Sequence, residues 1–298
     1  MHPETPAVAR EVRSQRSLDS QLDVLGDRYA GAPCVIVTCG PSLGTFDPAV
    51  LRASLDGVLT IVVKQAVDVV GPHTDFHCWN PFNVRRYARG ADDTIRCFVD
   101  EPTGRMIQHN PADMTLSTGS TAGSLDESLA AELNFDDYVL AKNHTRPFGP
   151  GIVYELCIYL AVHLGVSRIV TIGWDIAGAD GKNTHFDDRP DEQQFFRSER
   201  RAAPERPAAS RRGSETVRRP LRWARTRRLH RAGEVYNRTR VLPGETELVA
   251  SSTEALARWL GEVGVRLNVA TDSPFISPTI PRWSLAEAPD QIRSLGGA

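Results

Sequence analysis

The 298-residue chain predicts an α/β protein, an open and mostly parallel sheet with helices on both faces and an arginine-rich lid inserted late in the chain. Three observations carry that expectation. Short β-branched runs such as Cys34-Val-Ile-Val-Thr-Cys39 show no polar alternation, the pattern of strands buried on both faces. These runs end in glycine or polar turns. A helix, a glycine stop and a β-branched strand follow one another over 149–175, which is half of a βαβ crossover.

The elements follow in order. Residues 1–30 are polar with a weak helical pattern (Leu18, Leu22, Leu25) and predict an N-terminal helix packed by one face. Cys34 to Cys39 predicts the first strand, turned sharply by Gly40-Pro41-Ser42-Leu43-Gly44. Asp47, with Pro48 after it, caps a helix through Leu55. Val58 to Lys64, Asp75 to Trp79 and Thr94 to Val99 read as the next strands, residues 115–124 as a small-residue loop, and Tyr138 to Ala141 as another short strand. Gly149-Pro150-Gly151 opens an amphipathic helix through Leu164, Gly165 ends it, and Arg168 to Ile172 is a strand closing on Gly173-Trp174-Asp175. Residues 189–240 dissolve into Arg, Pro, Ala and Ser and read as the mobile lid insertion. Ser251 or Ser252 caps a helix through Leu260, and Val265 to Ala270 is a last strand. The organisation is thus a helical segment over 1–30, a main domain over 31–275 and an extended, proline-rich tail over 276–298.

Composition narrows the function classes. With 41% hydrophobic and 24% charged residues the chain reads as a folded, soluble protein. It has no apolar run of about 18 residues to span a bilayer, and Met1 to Arg16 lacks the apolar stretch of a signal peptide, so a cytoplasmic location is expected. Five cysteines without a C-x-x-C pair argue against a disulfide framework and a structural zinc site, and most of them read as small core hydrophobes. The net charge of −2 hides an asymmetry: Arg197 to Arg231 holds 13 arginines against Glu199, Glu205 and Glu215, a local +10, leaving −12 elsewhere. The stretch 211–231, with Trp223 among the cations, suits an anionic membrane surface on the inner face, a polyanion or a solvated lid. Nucleic acid is the least favoured partner, because the acidic remainder of the chain repels it.

Ligands of doubly wound sheets bind at the carboxyl ends of the strands, so the residues just after each strand are the candidates. A glycine turn leaves N–H groups suited to a phosphate, and Ser42 adds a hydroxyl, which nominates Gly40, Pro41 and Ser42. Neither a G-x-G-x-x-G nor a P-loop pattern is present. Lys64-Gln65, Asn80 and Gly151 complete the nucleotide- and phosphate-binding candidates. Asp175 precedes a loop with His185, Asp187 and Asp188; two carboxylates within three residues of His185 stabilise its protonated form and suit it as a general base. His73, His77, His109, His163 and His230 lack such a grouping and read as structural or surface residues.

Taken together, Val-Ile-Val-Thr-Cys-Gly-Pro-Ser-Leu (35–43), Val63-Lys-Gln65, Phe76-His-Cys-Trp-Asn-Pro81 and Gly151-Ile-Val-Tyr running to Gly173-Trp-Asp-Ile176 resemble the bacterial sialyltransferases that use CMP-activated sugars. The resemblance spans most of 34–275 and skips the arginine insertion, where that family has a flexible lid. The Gly-Pro-Ser-Leu turn and the Gly-x-Asp segment are also similar to a wider group, the motility-accessory-factor glycosyltransferases and the 6-hydroxymethylpterin diphosphokinases, to which Thr184-His185-Phe186 is closer. The departures are specific. Cys39 and Lys64 stand where the sialyltransferase pattern has asparagines, Gly149-Pro150-Gly151 replaces Thr-Ser-Gly, and the tyrosines that hold the leaving phosphate are missing.

The resemblance implies a Rossmann-like nucleotide-sugar-binding domain and glycosyl transfer from a nucleotide-activated sugar, a CMP-linked acidic sugar being favoured, to a glycan or small-molecule acceptor. His185 is then the base, Asp175 and Asp187 orient the acceptor, and Lys64 stabilises the leaving phosphate. No metal or other cofactor is required. The alternative is a diphosphokinase-type transfer from ATP, with Mg²⁺ on Asp175, Asp187 and Asp188; a third reading is a degenerate nucleotide-binding protein without turnover.

Overall fold

The computed structural model describes residues 1–79, 87, 91–100, 110–117, 156–175, 245–271 and 279–296. The strand expected at 138–141, the helix opening at 149–151 and the insertion over 189–240 lie outside the described residues.

Among the described residues, eight strands form one sheet in which every pairing is parallel. They are β1 (Pro33–Val37), β2 (Leu59–Val63), β3 (Phe76–Trp79), β4 (Ile95–Asp100), β5 (Met114–Ser117), β6 (Arg168–Ile172), β7 (Arg266–Ala270) and β8 (Arg282–Trp283). Their spatial order is β5-β4-β3-β2-β1-β6-β7-β8. This is the α/β, Rossmann-like class read from the unbroken apolar runs: Leu59 to Val63 is buried at every position, as is Phe76 to Trp79.

The helices are α1 (Thr5–Ser14), α2 (Leu18–Leu25), α3 (Pro48–Ser54), α4 (Val67–Val70), α5 (Ile158–His163), α6 (Glu245–Glu262) and α7 (Ala288–Leu295). Asp47 caps α3 as its sequence position suggests, accepting from the N–H groups of Ala49 at 2.7 Å and Val50 at 3.2 Å. Gly165, with φ of 78°, ends α5 in the left-handed conformation that an L side chain resists.

Four expectations are corrected. The N-terminal segment is two helices, because Ser17 leaves the helical region and caps α2 by accepting from the Ser20 N–H. Thr115 to Ser117 is not loop but the end of β5, where pairing with β4 outweighs the loop-like composition. The helix expected to start at Ser251 or Ser252 begins earlier, at Glu245. The tail is not extended throughout: Arg282–Trp283 pairs with β7, and Ala288–Leu295 is a helix whose Pro289 sits in the first turn, where its missing N–H costs nothing.

The amino-terminal helices are fastened to the edge opposite the strand exits. Arg13 and Arg96 both grip Asp113, at 3.1 Å and 2.8 Å. Asp75, fully buried at the start of β3, accepts from the Thr60 N–H at 2.8 Å and the His2 N–H at 2.8 Å. Cys34, Cys39, Cys78, Cys97 and Cys157 are all buried thiols outside any disulfide, and burial pushes the Cys34 and Cys78 thiols well up.

Candidate functional site

β1 lies between β2 and β6: from β1 the chain steps outward through β2 to β5, and it returns on the other side at β6. The topological switch point therefore falls between the carboxyl ends of β1 and β6, where doubly wound sheets open a crevice. Val37 pairs with both Val62 and Ile172, so the residues beyond these three stand at one level.

The two strand exits are stitched together. The Thr38 N–H donates to the Ile172 carbonyl at 2.8 Å and the Gly40 N–H to the Gly173 carbonyl at 2.8 Å. The Thr38 hydroxyl also donates to the Gly173 carbonyl. This approach explains two glycines. A Cβ on Gly40 would collide with the Gly173 carbonyl and lie 2.7 Å from Asp175 Oδ2, while Gly173 has φ of 69° and a Cβ there would lie 2.7 Å from the Thr38 carbonyl oxygen.

Asp175 joins these exits to a third strand. Its Oδ2 accepts from the Ser42 N–H at 2.6 Å, and its Oδ1 accepts from the Thr271 hydroxyl at the end of β7. One carboxylate thus ties the exits of β1, β6 and β7. The turn expected to offer N–H groups outward spends those of Gly40 and Ser42 inside the protein, and Pro41 has none. What remains unspent is a hydroxyl: Ser42 is 9% exposed and its Oγ has no hydrogen-bond partner. A buried hydroxyl left without a partner costs roughly 1–3 kcal/mol, which a ligand group reaching it would recover.

Next to the crevice, at the end of β2, Lys64 is half-buried with φ of 47° and Gln65 is buried. The Cys39 thiol donates to the Val63 carbonyl at 3.1 Å, and the His77 Nε2–H donates to the Lys64 carbonyl at 2.9 Å. Burial pushes the His77 imidazole down to about 4, against the bond to the Lys64 carbonyl, which works upward. His77 also packs on Trp79 and Tyr87, with ring centroids 5.0 Å and 4.9 Å apart.

Of the sequence candidates, Gly40, Pro41, Ser42 and Asp175 meet at the switch point, with Lys64 and Gln65 one strand away. Asn80, Gly151, His185, Asp187 and Asp188 lie outside the described residues. Among the described residues no group of three or more His, Cys, Asp or Glu is placed to hold a metal ion. Thr38 and Thr271, whose roles depend on strands far apart in the chain, are not among the sequence candidates, and His77, expected to be structural or on the surface, is buried inside β3. A signal for His77 was present, since a histidine inside an otherwise apolar buried strand needs a partner.

No protein-family model matches this chain, and no curated protein matches it. Among solved structures it is similar to the MAf glycosyltransferase from Magnetospirillum magneticum AMB-1, with a TM-score of 0.41 and 13% identity. That likeness covers 99% of this chain and 42% of the other, so the chain spans less than half the length of that structure. Among the described residues no helix is long and apolar enough to cross a membrane.

Proposed function

We propose that the chain binds a nucleotide-activated sugar, a CMP-linked acidic sugar, at the crevice between β1 and β6 and transfers the sugar to a hydroxyl of a glycan or small acceptor. The observation that carries this reading is the switch point between the β1 and β6 exits, where Asp175 accepts from the Ser42 N–H and the buried Ser42 hydroxyl has no partner. The choice of a CMP-linked donor rests on the resemblance carried by residues 35–43, 63–65, 76–81 and 151–176.

In this reading the acceptor oxygen attacks the anomeric carbon of the donor and the bond from that carbon to the phosphate oxygen breaks. The acceptor proton passes to His185, and the electron pair leaves on the phosphate, whose charge the Lys64 ammonium meets. Asp187 orients the acceptor. Asp175, with both oxygens already accepting hydrogen bonds, orients it through the lone pairs left over and holds the crevice in shape. Gln65, Asn80 and Gly151 border the nucleotide, the arginine-rich insertion covers it, and residues 211–231 are the segment that meets an anionic membrane surface. No metal is needed, since the cation at the phosphate is a side chain.

Transfer of sugar from a CMP-linked donor, followed as CMP release with and without chelator, is the direct test. The expectation is chelator-insensitive release that falls at least 100-fold in His185→Ala while CMP still binds. Full turnover by His185→Ala would remove the base from this account. Turnover of ATP that requires Mg²⁺ would replace the account by diphosphoryl transfer.

A further inference from the structure

The exit of β2 is strained and held. Lys64 carries a side chain yet sits at φ of 47°, in the left-handed region that glycine enters freely and other residues enter at a cost. Strain of this kind persists only where the surroundings over-determine it. Here the surroundings are two side chains from the strands on either side. Cys39 reaches from the β1 exit to the Val63 carbonyl, and His77 reaches from β3 to the next carbonyl, that of Lys64, at 3.1 Å and 2.9 Å.

Each half of this clamp is built rather than incidental. A carbonyl only accepts, so the Nε2 of His77 carries a proton whether or not the ring is charged. Burial keeps it neutral, at about 4, and the packing of Trp79 and Tyr87 fixes the plane of the ring. Placing a polar ring where only 3% of it is exposed is costly unless it serves a bond, and the bond it serves is to Lys64. Lys64 stands two residues past Val62, level with Cys39, which stands two residues past the paired Val37. It is the one lysine among the described residues, in a chain that has three lysines against 32 arginines. A lysine presents a compact charge rather than a planar fork, which suits a single phosphate.

We propose that His77 and Cys39 are positioning residues, a clamp that holds Lys64 in its left-handed turn so that its ammonium is presented beside the Gly40–Ser42 turn as the phosphate-side cation. This rests on the nucleotide reading of the crevice. Neither clamp residue touches the ligand; both act through Lys64.

Two double-mutant cycles test the clamp. The first reads urea stability of the wild type, His77→Phe, Lys64→Gly and the pair. Because a released Lys64 recovers the cost of φ of 47° while glycine pays none, His77→Phe is expected to cost at most two thirds as much in the presence of Lys64 as in Lys64→Gly. The second reads the Kd for CMP by calorimetry. His77→Phe is expected to weaken CMP three- to tenfold with Lys64 present and less than twofold in Lys64→Ala, and His77→Gln, which keeps a donor, is expected to restore most of the loss. Cys39→Ala put through the same cycles serves if His77→Phe does not fold. Equal losses with and without Lys64 would make the two residues structural only and overturn the proposal. A wild type that binds CMP without either coupling sinks the clamp alone, whereas a wild type that does not bind CMP sinks the clamp together with the nucleotide reading.

Discussion

Ser42 and Asp175 touch through one hydrogen bond of 2.6 Å yet carry opposite expectations. Ser42→Ala removes a buried hydroxyl that bonds nothing, so its stability should stay within about 1 kcal/mol of wild type while CMP affinity falls about tenfold. Asp175→Ala removes a charged acceptor from the Ser42 N–H and the Thr271 hydroxyl, and should cost about 2–3 kcal/mol in urea unfolding. Gly40→Ala forces a Cβ against the Gly173 carbonyl and should cost about 2 kcal/mol or more; a variant as stable as wild type would mean the two exits do not meet as described. Gly40 and Asp175 were both legible as residues that follow apolar strands. That Asp175 would take the Ser42 N–H was not legible, because the bond joins residues 133 positions apart and depends on strand order.

At the scale of elements, strands with unbroken apolar runs announced themselves: Leu59–Val63, Phe76–Trp79 and Arg168–Ile172 lie within a residue of where the sequence puts them. Elements whose composition imitates a loop did not. Met114–Ser117 runs into a string of Ser, Thr and Gly, and its backbone bonds go to β4 regardless of side chain. Arg282–Trp283 follows Pro281 at the sheet edge, where a proline is tolerated, so the prolines that suggested a loose tail mark a boundary instead. The clamp on α1 makes a pH prediction. Burial raises Asp113, but hydrogen bonds from Arg96 and Arg13 outweigh it and hold the carboxyl below its ordinary value. A carboxyl depressed in the folded state contributes stability that is present above its unfolded value of about 3.9 and lost as pH falls through the folded one. Acid titration of Asp113→Asn, followed by circular dichroism, should therefore show lower stability at neutral pH and a shallower loss below about pH 4 than wild type; identical slopes would contradict the clamp.

For the whole molecule, the strand order converts local signals into one place. Each apolar run predicts a strand and each glycine or polar exit a candidate, but only the order β5-β4-β3-β2-β1-β6-β7-β8 says which exits adjoin. It sets Ser42, Asp175 and Thr271 together and puts Lys64 one strand away, which is why the crevice, and not another strand end, is the centre of the functional proposal. The most direct measurement is a thermal-shift panel of CMP, CDP, UDP, GDP and ATP, with and without Mg²⁺, on wild type and Ser42→Ala. A ligand of the native state at about 100 times its Kd adds about 2.7 kcal/mol and raises Tm accordingly. The account predicts a rise with CMP that needs no Mg²⁺ and that shrinks in Ser42→Ala; a rise with ATP only in the presence of Mg²⁺, or no rise with any nucleotide, would contradict it.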